Sequence, residues 1–349
     1  MSALSQASQA RRIALGAAYG GGGIGLLGAV LAGLLVGQAK YARRIIPRPN
    51  GAPPRCDGLY GTDFDGEPLT LAIIGDSGAA GLGVELARET PGALLAAGLA
   101  QVARRPVKLV CAAVVGAESQ HLHAQVEQVL PHGLDAVAIL IGGNDVTHRV
   151  KPQVAVGHLD MVVRTLVGLD IQVVVGTCPD LGTIQPIQPP LRWVARRSSR
   201  QLAAAQTIAV VEAGGRTVSL GDLLGPEFAA RPDQMFSADR FHPSATGYAS
   251  AAAAMLPSLI ASLGYGDEAA AAPSRARGEG VKPLPQAAVE AVDEAGTELS
   301  ATAVNGRERG AFGRWVELRH RIRLFTGSPE DPSVDQDDAD GEAAVKGAG

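Results

Sequence analysis

Between Leu69 and Leu263 the chain alternates short apolar runs with longer amphipathic segments, and this alternation restricts the fold more than any other feature. The runs are Leu71–Ile74, Val107–Val115, Ala136–Ile141, Ile171–Val175 and Thr217–Leu220. A strand with one wet face alternates apolar and polar side chains. These runs are nearly continuous, which predicts strands covered on both faces. Segments near 91–104, 118–130, 152–168, 191–213 and 245–261 carry helical patterning. Strands and helices in alternation predict a three-layer α/β/α domain over 69–264, with a doubly wound, flavodoxin-like parallel sheet of five strands. A chain of 349 residues leaves room for appendages on such a domain.

The appendages differ in composition. Within residues 1–46, Ile13 to Gly37 holds no charged side chain, and such a span can cross a ~30 Å hydrocarbon core as a helix. Glycines at four-residue spacing, such as Gly16/Gly20 and Gly33/Gly37, would allow close helix contact. A membrane anchor is the expectation. A cleaved signal peptide ending near Gly37-Gln38-Ala39 and a buried soluble helix are the alternatives. Lys40, Arg43 and Arg44 outnumber Arg11 and Arg12, which favours a cytoplasmic catalytic part, whereas a signal-like start favours the opposite side. The side stays open. Residues 47–68 form a Pro/Gly-rich linker, and 265–349 a low-complexity tail expected to be disordered. Within the tail, Phe312 to Phe325 reads as a short basic amphipathic helix, for a membrane surface or for docking on the domain. The acidic end beyond it reads as a solubilising tail.

A formal charge of −4 gives no global pull towards nucleic acid. Three cysteines, Cys56, Cys111 and Cys178, make no complete disulfide framework and have no metal-ligand spacing. Cys111, in an apolar run, reads as a buried free thiol. His121 and His123 fall on different faces of a helix and do not share a metal. Gly20–Gly23 lacks the lysine of a phosphate loop. His148 reads as a surface-loop histidine, with a place in the pocket as the alternative.

The first apolar run ends in Gly75-Asp76-Ser77-Gly78-Ala79-Ala80-Gly81-Leu82-Gly83, which puts a serine hydroxyl at the carboxyl edge of the sheet, where open α/β sheets bind ligands. A serine nucleophile needs a base, an orienter and oxyanion donors. Asp239-Arg240-Phe241-His242-Pro243 supplies the first two: His242 to take the proton of Ser77, and Asp239 to hold the imidazole tautomer. The alternative for this stretch is a helix-capping segment with Ser244 as cap. Gly116 and Asn144 follow the second and third runs, so the N–H groups of Ser77 and Gly116 and the Asn144 amide make three candidate oxyanion donors. Asp76 is expected to fix the nucleophile turn by hydrogen bonds. Gly75–Ala79 does not match the Gly-x-Ser-x-Gly elbow of α/β-hydrolases, because its fifth residue is Ala79.

Taken together these blocks resemble the SGNH (GDSL-type) hydrolase family. Gly75 to Gly83 matches its Gly-Asp-Ser-x-x-x-Gly-x-Gly block, and Gly142-Gly143-Asn144-Asp145 its Gly-x-Asn-Asp block. Asp239 through Pro243 matches Asp-x-x-His-Pro, and Gly116 stands for the second-block glycine without the family's usual preceding asparagine. The resemblance spans about 69–262. It implies a lipase-like serine esterase without metal or organic cofactor. Acyl transfer to an alcohol and carbohydrate O-acetyl ester hydrolysis use the same residues, and a non-catalytic membrane-tethered binding module is a third class. An apolar segment ahead of such a domain is similar to envelope-associated esterases of actinobacteria, which implies a membrane-associated enzyme of the cell envelope. The loop after the fourth run offers Leu181, Ile184, Ile187 and Trp193 as an apolar acyl wall, expected to favour short to medium acyl chains, with a surface loop packing on its own helix as the alternative.

Overall fold

The structure, a computed structural model, describes residues 30–46 and 51–265. Six strands make one sheet: β1 (Gly58–Tyr60), β2 (Leu69–Gly75), β3 (Val107–Cys111), β4 (Ala136–Leu140), β5 (Gln172–Gly176) and β6 (Arg216–Val218). Their order is β1-β3-β2-β4-β5-β6. The last five strands of chain order are parallel and keep the doubly wound order that the apolar runs predict.

Helix α1 covers 30–45. The others are α2 (Ser77–Ala80), α3 (Pro91–Ala103), α4 (Leu122–Val129), α5 (Gly143–Thr147), α6 (Pro152–Val167), α7 (Leu191–Glu212), α8 (Leu220–Ala230), α9 (Pro232–Met235) and α10 (Ala245–Ser262). Successive side chains of β2 go to opposite faces. Leu71 and Ile73 join a core with Leu95 and Leu99 of α3 and Met255 and Leu259 of α10. Ala72 and Ile74 join a second core with Val126 of α4, Leu159 and Val163 of α6 and Val210 of α7. These are the two covering layers of the expected sandwich.

The stretch expected to be only a linker does more. β1 pairs antiparallel with β3 and adds a sixth strand at the sheet edge. Three residues between prolines are too few for a periodic signal, and the strand is held by its surroundings. Tyr60 Oη donates to the Cys56 carbonyl at 2.7 Å, and the Arg104 guanidinium lies 4.7 Å over the Phe64 ring.

α1 is attached to the domain. Ala42 is buried and Ile46 packs against the first core. Gln38 Nε2 donates to the Pro189 carbonyl at 2.7 Å, while its Oε1 accepts from the Leu191 N–H at 3.1 Å. Among the described residues no helix is long and apolar enough to cross a membrane. Of the charge-free span 13–37, residues 13–29 lie outside the described residues. So do the tail from 266 onwards, the segment 312–325 and the acidic end.

Candidate active site

The nucleophile turn is built where β2 meets β4. Gly75 has φ +137°, and a Cβ there would stand 1.9 Å from the Leu140 carbonyl oxygen, so only glycine fits this close approach. The Asp76 N–H donates to that same carbonyl at 3.0 Å. Asp76 then caps α2, its Oδ1 accepting from the Gly78 N–H at 2.8 Å, and Ser77 becomes the first residue of the helix. Gln125 of α4 braces the strand end: its Oε1 accepts from the Gly75 N–H at 2.7 Å and its Nε2 donates to the Gly75 carbonyl at 2.9 Å. Periodicity marks Gln125 only as one more helical residue. A buried side chain satisfying both backbone groups of a motif glycine leaves no short-range pattern.

The last glycine of the block is explained by the other half of the site. A Cβ on Gly83 would lie 2.8 Å from the Pro243 carbonyl oxygen and 3.0 Å from the His242 Cβ. The histidine loop therefore descends directly onto Gly83. The loop is closed by a bridge between Phe236 and Pro243 and by Ser237 N–H donating to the His242 carbonyl at 2.8 Å. Arg240 sits at φ 57°, a conformation unusual for a residue with a side chain, inside the same turn. Ser244 does cap α10, accepting from the Gly247 N–H at 3.2 Å, so the capping role and the role in the site coexist.

The expected relay is assembled. His242 Nε2 lies 3.0 Å from Ser77 Oγ, and His242 Nδ1 lies 2.6 Å from Asp239 Oδ2. A carboxylate can only accept, so Nδ1 carries the proton and the Nε2 lone pair faces the serine hydroxyl. Asp239 Oδ1 accepts from Ser237 Oγ and from the N–H groups of Phe241 and His242, each at 2.8 Å. Burial works against the charge of Asp239, but the bonds from the His242 ring and the two backbone N–H groups outweigh it and hold the carboxyl at about 2. Asp76 goes the other way. Its burial raises it to about 6, against the opposing pull of the Gly78 N–H.

Asn144 and Asp145 open α5 and fasten it to the loop after β3. Asn144 Nδ2 donates to the Ala117 carbonyl at 2.9 Å, which leaves its second N–H for another acceptor. Asp145 is buried and accepts from Ser119 Oγ at 3.0 Å and from the Ser119 N–H at 3.1 Å. Gly116, at φ +84°, tops an exposed turn closed by Ala117 N–H to the Val114 carbonyl at 3.0 Å. It stands beside the Ala117 carbonyl that Asn144 grips, and outside the lining of the cleft. His148 is an exposed loop residue whose Nδ1 lies 2.6 Å from Glu118 Oε1, and it too lies outside that lining.

Ser77, Asn144 and His242 open onto a cleft of ≈ 140 Å³. Leu181 and Ile184 line it, as the acyl-wall expectation requires. Trp193 does not: it is 67 % exposed, because α7 turns that face outward. Ile187 is buried but lies outside the lining. Their place is taken by Leu220, Leu224 and Phe228 of α8, with Phe236 and Phe241 from the segment that carries the histidine loop. Asp180 at the cleft wall is buried and paired with Arg196, 3.1 Å from its Nε. A polarised serine beside an apolar cleft, with amide donors nearby, can attack a carbonyl carbon and hold the resulting oxyanion.

Comparison with known proteins finds a relative in sequence, similar solved structures and a matching family model. The chain is 46% identical over 232 residues to a GDSL-like esterase of Mycobacterium tuberculosis, covering 63% of this chain and 73% of that protein. Similar solved structures include a lipase/acylhydrolase from Enterococcus faecalis, 20% identical with a TM-score of 0.45, covering 54% of this chain and 93% of that one. An extracellular lipase from Streptomyces rimosus is 18% identical with a TM-score of 0.43, covering 56% of this chain and 99% of that one. The model of the GDSL-like lipase/acylhydrolase family matches residues 73–250, from the middle of β2 into α10, and so takes in the serine turn, the Asn144 block and the histidine loop. With half of its length matched in this way, the chain belongs to the GDSL-like lipase/acylhydrolase family.

Proposed function

We propose that the chain hydrolyses carboxylic esters through an acyl-enzyme on Ser77. The observation that carries this is the continuous relay from Asp239 through His242 to Ser77 Oγ, at 2.6 and 3.0 Å, beside an apolar cleft. Ser77 Oγ attacks the ester carbonyl as its proton passes to His242 Nε2. Asp239, held ionised by its donors, stabilises the imidazolium. The Ser77 N–H and the free N–H of Asn144 take the oxyanion. The Gly116 turn, outside the cleft lining, adjoins them through the Ala117 carbonyl that Asn144 holds and would supply a third donor only by turning its N–H inward. One such donor is worth about 10²–10³ in kcat. The imidazolium then protonates the leaving alcohol, and water repeats the steps on the acyl-enzyme with His242 as base. The aliphatic and aromatic lining from α8 supports acyl groups of short to medium length. Labelling of Ser77 by a fluorophosphonate probe, with rates on p-nitrophenyl esters of two to sixteen carbons, tests both statements. No label on Ser77 would defeat the mechanism, and a flat chain-length profile would defeat the acyl wall.

We also infer that the enzyme works at a membrane of the cell envelope, held there by the charge-free segment Ile13–Gly37. Supporting this, the described end of that segment is helical and carries exposed Val30, Leu31 and Leu34, followed by Lys40, Arg43 and Arg44 with no acidic residue among them. Protein that stays with the membrane pellet in alkaline carbonate, and is released when residues 1–29 are deleted, is the expected result. Release of the full chain by carbonate would reject the anchor.

A further inference from the structure

Two of the three cysteines meet at the sheet edge. β1 runs antiparallel to β3 with Gly58 opposite Leu109, Leu59 opposite Lys108 and Tyr60 opposite Val107. Carrying this register two residues further puts Cys56 directly opposite Cys111. The chains are tied together at that point, since the Cys111 N–H donates to Asp57 Oδ1 at 2.8 Å. Directly opposed residues of an antiparallel pair have Cα atoms about 4.5–5.5 Å apart, within the about 4.4–6.8 Å a disulfide spans. Both are free thiols in the structure; Cys56 is buried under α3 and Cys111 is partly exposed. We propose that Cys56 and Cys111 are a dithiol arranged to close into a cross-strand disulfide, which staples the segment arriving from α1 to the catalytic sheet.

The neighbouring Cys111 thiol lowers Cys56 to about 7 despite its burial, and Cys111 is pushed up in return. A lowered Cys56 favours the thiolate that exchange requires. Closure needs an oxidant of the disulfide class, R–S–S–R. One thiolate of the pair attacks a sulfur of the oxidant and forms a mixed disulfide, releasing R–S⁻, which takes up a proton. The second cysteine, as its thiolate, attacks the protein sulfur of the mixed disulfide and expels the other R–S⁻. The two cysteines lose two electrons and two protons, and the oxidant leaves as two R–SH. The closed loop, 56–111, contains β2, the Ser77 turn and α3, so the bond constrains the unfolded chain across the nucleophile.

The test uses the full chain, purified reduced and then treated with oxidised glutathione. Alkylation and peptide mapping without reductant should show a Cys56–Cys111 linked peptide, with Cys178 alkylated. The melting temperature should rise by about 5–15 °C on oxidation and fall back with dithiothreitol. Cys56→Ser and Cys111→Ser should each abolish the rise and leave kcat within about twofold of the reduced parent. Cys56 and Cys111 both still alkylatable after excess oxidised glutathione, or a persistent glutathione adduct on Cys111 alone, would overturn the proposal. The comparison of oxidised with reduced parent holds even if a serine variant fails to fold.

Discussion

Two carboxylates flank Ser77 and titrate in opposite directions because their donors differ. Asp239 receives three hydrogen bonds on one oxygen and the His242 ring on the other, and stays ionised. Asp76 accepts from the Gly78 N–H inside a buried turn. Ser77→Ala should lower kcat by up to about 10⁶, and Asp239→Asn by about 10⁴, read as esterase rates at saturating substrate. Asp76 makes a different prediction. Its folded value of about 6 lies above the ordinary 3.8, so between those values the native state binds the proton and the unfolded chain does not. Stability from this residue therefore falls as pH rises from about 4 to 6, then levels off. The cost above pH 6 is about 3 kcal/mol. Asp76→Asn keeps an acceptor for Gly78 without the buried charge. Its melting temperature should match the parent near pH 4 and exceed it by several degrees from pH 6 upward. A gap that does not change with pH would contradict the burial of this charge.

The elements that the sequence reveals are those whose ends carry local chemistry. α3 starts at Pro91 behind the Thr90 cap, α10 starts behind Ser244, and β2 ends in the glycine that its neighbour demands. Such signals lie within a few residues, so the serine turn and the histidine loop could be placed before their distance was known. α8 is the counterexample. Gly221, Gly225 and Pro226 argue against a helix, yet Leu220, Leu224 and Phe228 recur every four residues and turn one face to the cleft. Tertiary contact decides there, as it does for three-residue β1. The same physics turns Trp193 outward and Leu220, Leu224 and Phe228 towards the cleft, since a single aromatic residue says nothing about which way its helix faces. Leu224→Trp should therefore shorten the cleft, lowering kcat/KM for an eight-carbon ester about tenfold or more relative to a two-carbon ester. Trp193→Ala should leave that ratio unchanged. Chain-length profiles of the two variants distinguish an α8 wall from an α7 wall.

At the scale of the molecule, Gln38 ties α1 to the loop that borders the cleft. Gln38 holds the Pro189 carbonyl and the Leu191 N–H at once, fixing the end of the loop whose start supplies Leu181 and Ile184 to the cleft. Ala42 and Ile46, one and two turns further on, enter the first core, so α1 is braced at both points rather than hung from a linker. A domain gripped this way holds its cleft in a fixed relation to α1. Removing the grip should loosen the loop and leave the catalytic relay untouched, because no member of the relay contacts Gln38. Two lost hydrogen bonds at a half-exposed site amount to about 1–2 kcal/mol, or a fall in melting temperature of about 2–6 °C. In Gln38→Ala, peptides spanning 184–191 should exchange their amide hydrogens faster, while peptides from β2 and β4 keep the parent's rates. The rate on a two-carbon ester should stay within about twofold. Uniform acceleration across the whole domain would mean that Gln38 serves global stability alone, and unchanged exchange in 184–191 would mean that the loop is held by its own prolines.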